Sequence, residues 1–91
     1  MQEARENPRE QGDTHTYLVL RLLIEDRKTV TPSQLRRMGL VPEFERVEQY
    51  GTLLKSMAYD GYLKNSGRKG RELVRMVTEK GRQRYEAVRT R

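Results

Sequence analysis

Lys64, Arg68, Lys69 and Arg71 stand close together in the stretch GYLKNSGRKGRELVRMV, residues 61–77. Cations so spaced, interleaved with Asn65, Ser66 and two glycines, suit one kind of chemistry. They neutralise a polyanion and donate hydrogen bonds to its phosphates. The charge distribution points the same way. The formal net charge is +6, and residues 61–91 hold ten cations against three anions, or +7. Residues 14–60 come to only +1 and residues 1–13 to −2. Positive charge concentrated in one region is the electrostatic footprint of a nucleic-acid-binding protein, although an ordinary solvated surface can also be basic.

Other chemistries lack their residues. There is no cysteine, so neither a disulfide framework nor a thiolate metal site is available. His15 is the single histidine and is expected at the surface, at the start of a helix. Glu25 and Asp26 are adjacent, and neighbouring helical positions do not face each other. No nucleophile stands with a base, and GRKGRE lacks the Gly-Lys-Ser/Thr ending of a Walker-type phosphate loop. The expectation is a protein without catalytic activity, cofactor or metal.

The basic stretch needs elements to hold it. A chain of 91 residues suffices for one domain with one modest core. YLVLRLLI is too short to span a bilayer and contains Arg21, and with no cysteine a cytoplasmic protein is expected, nucleoid-associated where its polyanion is DNA. Residues 1–13 carry almost nothing apolar and read as a disordered arm, leaving residues 14–91 as the domain. Asp13 or Thr14 is placed to cap a first helix running to about Arg27. On a helical wheel its apolar residues, from Tyr17 to Ile24, occupy roughly two-thirds of the circumference. That surplus calls for cover by the C-terminal helix or by a second subunit.

Val30 between two threonines suits a short extended segment, and Thr31-Pro32 a helix start. The second helix ends at Gly39. A third, from Pro42 or a few residues later to Asp60-Gly61, places Phe44, Val47, Tyr50, Leu53, Leu54, Met57 and Ala58 on one face. Glu45, Glu48, Gln49, Thr52, Lys55, Ser56 and Tyr59 fall opposite. Residues 61–77 then read as a β-hairpin turning at Asn65-Ser66-Gly67 with Gly70, and Thr78 caps a last helix. The fold class is α+β, mainly α.

Three helices, a short strand, a two-stranded hairpin and a closing helix form the winged helix-turn-helix order. LLKSMAYDGYL resembles the recognition-helix exit of small bacterial and archaeal winged-helix transcription regulators, and RMVTEKGRQRYEAV resembles the exit from the second wing strand in regulators of the PadR and MarR type. The resemblance covers about residues 14–90. It implies a DNA-binding transcriptional regulator with the third helix in the major groove and the hairpin on phosphates, and the apolar surplus of helix 1 with the short C-terminal helix suggests a homodimer through those two helices.

Gln49, Thr52, Ser56 and Tyr59 are then candidates for the bases, with Lys55 and Arg46 for phosphate. Lys64, Asn65, Ser66, Arg68, Lys69 and Arg71 form the wing contacts. Arg36 and Arg37 point about 100° apart, so at most one is well placed, and Arg37 is the candidate. Glu45 and Glu48 sit awkwardly on a face meant for DNA. They leave two alternatives open: a protein-interaction winged helix, or an RNA-binding, ribosome-associated one.

Overall fold

In the computed structural model, which describes residues 8–89, four helices and an antiparallel hairpin follow in the order α1 (Pro8–Glu25), α2 (Pro32–Met38), α3 (Val47–Tyr59), β1 (Leu63–Lys69), β2 (Glu72–Val77) and α4 (Glu79–Arg89). Helix α1 starts before the expected cap, so residues 8–13 of the anticipated arm are helical and residues 1–7 lie outside the described residues. Polarity had argued against burial there. A helix nucleated by packed residues downstream nevertheless propagates through good helix formers such as Arg9, Glu10 and Gln11, and Pro8 suits its first turn.

The apolar surplus of α1 is covered within the chain. Val19, Leu20, Leu22 and Leu23 are buried, while Tyr17, Leu18 and Ile24 pack at the margin of the core. Tyr17 stacks on the buried Tyr85 of α4, ring centroids 5.4 Å apart. The expectation of a second subunit thereby loses its observation.

Val30 forms an isolated antiparallel bridge with Arg75 of β2, each amide donating to the other's carbonyl at 3.0 and 2.9 Å. This is the short extended segment expected from the sequence. Directly afterwards Thr31 caps α2 reciprocally. The Gln34 amide donates to Thr31 Oγ1 at 3.3 Å, and the Thr31 amide donates to Gln34 Oε1 at 2.9 Å.

Helix α3 begins at Val47 rather than near Pro42. Residues 40–46 are held as a loop by the buried Tyr50, whose hydroxyl donates to the Val41 carbonyl at 3.1 Å and accepts from the Val41 amide at 3.0 Å. Phe44 packs its edge against Tyr50 from this loop, not from the helix. The buried Tyr50, Leu54 and Met57 turn α3 toward Leu35, Leu63 and Val77 in a single core.

The hairpin turn also differs in place. Register runs from Leu63 opposite Val77 to Lys69 opposite Glu72, so the connection is Gly70-Arg71. Gly70 has φ +65° while Arg71 keeps negative φ, the combination of a II′ turn that matches strand twist. Asn65 pairs with Arg75 and Gly67 with Val74, leaving Ser66 as the extra residue of a bulge. The anticipated turn at Asn65-Ser66-Gly67 is thus a bend within β1.

Thr78 links hairpin and α4, its hydroxyl donating to the Gly61 carbonyl at 2.6 Å and accepting from the Gly81 amide at 3.0 Å. At Gly81 a Cβ would strike the Tyr62 carbonyl oxygen and stand 2.7 Å from Val77 Cγ2. Glycine alone lets α4 close on the hairpin base.

Candidate nucleic-acid interface

Two surfaces carry the residues singled out by the sequence. The first is the outer face of α3, where Glu48, Thr52, Lys55, Ser56 and Tyr59 are all exposed. Their spacings of three and four residues place them along one stripe. Tyr59, at the end nearest the hairpin, is 91% exposed. A ring left in water at a helix end is available for stacking or for hydrogen bonding through its hydroxyl.

Gln49 does not join this stripe as a reader. Its Oε1 accepts the Glu45 amide at 2.7 Å and the Arg46 amide at 2.8 Å, closing the N-terminal turn of α3. A side chain that satisfies the helix start is committed to structure. Arg46 occupies the N-cap position beside it and is exposed.

The second surface is the hairpin, exposed without interruption from Lys64 to Arg71. None of Lys64, Arg68, Lys69 and Arg71 is ion-paired among the described residues. Asn65 is engaged by its cross-strand neighbour, since Arg75 Nη1 donates to Asn65 Oδ1 at 2.6 Å. Ser66 stands exposed on the bulge.

One carboxylate positions the hairpin. Glu72 Oε2 accepts from both the Ser33 amide, at 3.1 Å, and the Ser33 hydroxyl, at 2.8 Å. Ser33 lies in the first turn of α2, where an anion is favoured by free amides and the helix dipole. Because Glu72 is the residue after the turn, this contact holds the cationic tip beside α2. The sequence reading assigned Glu72 and Ser33 no part. Their partnership spans 39 residues and has no local signal.

The two α2 arginines make different contacts. Arg36 Nε donates to the Glu45 carbonyl at 3.3 Å and steadies the loop before α3. Arg37 is exposed and lines an open groove with Arg27, Gln34, Met38 and Lys69. Arg27, beyond the end of α1, was not anticipated there. Only the tertiary fold brings it near the hairpin tip.

His15 lies within α1, not at its start. Its Nε2 is 3.1 Å from Glu43 Oε2, and its ring meets Phe44 edge-on at 5.0 Å. The hydrogen bond from His15 holds the Glu43 carboxyl below the usual carboxylate range. This pair fastens α1 to the loop between α2 and α3.

Among the described residues no group of three His, Cys, Asp or Glu side chains is arranged to hold a metal ion. No helix there is long and apolar enough to cross a membrane. No family model, curated protein or solved structure matches the chain.

Proposed function

We infer that the chain is a winged helix-turn-helix domain that binds double-stranded DNA and regulates transcription, without catalysis. The observation that carries this reading is the hairpin, whose four exposed cations lack carboxylate partners among the described residues while an open polar stripe lies along α3. A major groove admits one helix, and cations beside it neutralise phosphates. Thr52, Ser56 and Tyr59 are the base-edge candidates, with Lys55 on the adjoining phosphates. Lys64, Arg68, Lys69 and Arg71 supply the sequence-independent affinity.

Occupancy of a promoter is the simplest regulatory mode, and it places the protein at the nucleoid. One chain presents one complete α3 and hairpin. With α1 covered internally, pairing of two chains would come from the spacing of DNA half-sites rather than from an apolar interface.

Fluorescence anisotropy of a labelled random duplex across a salt series tests the reading. Binding whose log K falls against log salt with a slope of about −4 to −9 is expected. No binding at low salt overturns it in favour of a protein partner, and preferential competition by RNA overturns the DNA assignment.

A further inference from the structure

We propose that Arg27, Arg37 and Lys69 form a phosphate-binding groove between α2 and the hairpin tip, and that it takes the backbone of the nucleic acid whose bases face α3. The inference rests on the function proposed above and adds a site that neither helix face nor hairpin supplies alone. The three cations arrive from separate segments: the linker after α1, the last turn of α2 and the end of β1. With Gln34 and Met38 they line one open groove of about 270 Å³ that contains no carboxylate.

None of the three is ion-paired among the described residues. Like charges gathered on one concave surface repel unless an anion joins them, and their summed field attracts an anion that enters. Two guanidinium groups match phosphate oxygens with paired donors, and Lys69 adds a point charge. The rest of the lining fits. Arg27 Nη1 lies 3.6 Å from Met38 Sδ, which holds the guanidinium at the rim. Gln34 has its carboxamide oxygen occupied by the Thr31 amide, leaving its amino end for an acceptor.

The fold also aims the hairpin here. Lys69 pairs with Glu72 across the ribbon, and Glu72 is the residue fastened to Ser33 on α2. Arg37 lines a second groove as well, with Ser33, Arg36 and Val47 at the start of α3. Arg37 is thus common to the groove at the hairpin tip and to the one that reaches the start of α3.

The test pairs NMR with a salt series on the full chain. The Met38 methyl reports the groove and the Tyr59 ring reports α3. The probes are a short random duplex and inorganic tripolyphosphate. Arg27→Ala with Arg37→Ala removes the same charge as a control, Arg21→Ala with Arg82→Ala, all four being exposed positions. The duplex is expected to shift Met38 and Tyr59 together, and the groove pair should lower the salt slope by about 2 while the control leaves it near the wild-type value.

Duplex binding that moves Tyr59 but not Met38, with an unchanged slope in the groove pair, overturns the groove and leaves the function standing. If the duplex does not bind but tripolyphosphate shifts Met38 in the wild type and not in the groove pair, the function falls and the groove stands as a site for free oligophosphates. A Met38 signal indifferent to both probes overturns the groove outright.

Discussion

At the scale of single residues, two helical glycines make opposite demands. At Gly51 of α3 a Cβ would meet only Pro32 Cγ at 3.9 Å, an ordinary contact. Alanine there gains helix propensity without a clash, so Gly51→Ala is expected to stabilise by about 0.5–1 kcal/mol. At Gly81 the same methyl meets the Tyr62 backbone and Val77, and overpacking of about 1–3 kcal/mol outweighs that gain. Thermal unfolding should show Gly51→Ala melting above the wild type and Gly81→Ala below it; equal shifts of one sign would contradict the packing of α4 on the hairpin base. Glu43 carries a pH dependence of its own. Its folded-state pKa is depressed by the His15 hydrogen bond, so its stabilising contribution is present above the unfolded carboxylate value and lost as pH falls through the lowered folded value. Titration of the Glu43 side chain by NMR should give a midpoint below that of a free glutamate, and His15→Ala should return it toward that value. Neither the tightness at Gly81 nor the pairing of His15 was legible in the sequence, since both depend on segments distant along the chain.

At the scale of elements, local chemistry was readable and competing local chemistry was not. Thr31-Pro32 marks a helix start because the cap, the proline and Gln34 lie within four residues, and the structure uses all three. Asn65-Ser66-Gly67 and Gly70 read together as one turn, because nothing local tells the two glycines apart. Pairing decided between them: β2 has Val30 bridged to Arg75 on one edge and β1 on the other, and that register runs β1 on to Lys69. The start of α3 was obscured because Arg46 is an unusual N-cap and the capping group, Gln49, lies inside the helix. On the helical wheel Gln49 falls opposite the apolar face and so reads as a base contact. Glu72 shows how one contact organises two elements. Glu72→Ala removes the acceptor for both the Ser33 amide and hydroxyl, costing about 1–3 kcal/mol given that the site is only partly buried. Glu72→Gln retains a neutral acceptor and should lose less. Hydrogen exchange is expected to accelerate at the hairpin amides and the first turn of α2 in the alanine variant; acceleration spread evenly over all four helices would mean that Glu72 stabilises the core and does not dock the hairpin.

At the scale of the molecule, the charge asymmetry acquires a shape. Of the +7 in residues 61–91, the hairpin segment 61–78 holds five cations against Glu72, whereas α4 holds four against Glu79 and Glu86. The fold brings Lys69 of the hairpin together with Arg27 and Arg37, residues from the part of the chain that is nearly neutral overall. Charge counted along the chain gives a sum, whereas the tertiary fold determines which cations share a surface. The α3 stripe and the hairpin should accordingly fail in different ways when altered. Arg68→Ala with Arg71→Ala removes exposed charge, so binding should weaken alike for all duplexes and the salt slope should flatten by about 2. Thr52→Ala or Ser56→Ala removes a hydroxyl from the α3 stripe with no change in charge. Such variants should retain the slope while changing the order of preference in a selection from random duplexes, by about 1–3 kcal/mol at the affected base pair. If both sets weaken all sequences equally, α3 does not face base edges. If neither has any effect, DNA does not bind this surface, and Glu48 beside Lys55 and Tyr59 makes a mixed-charge face suited to a protein partner.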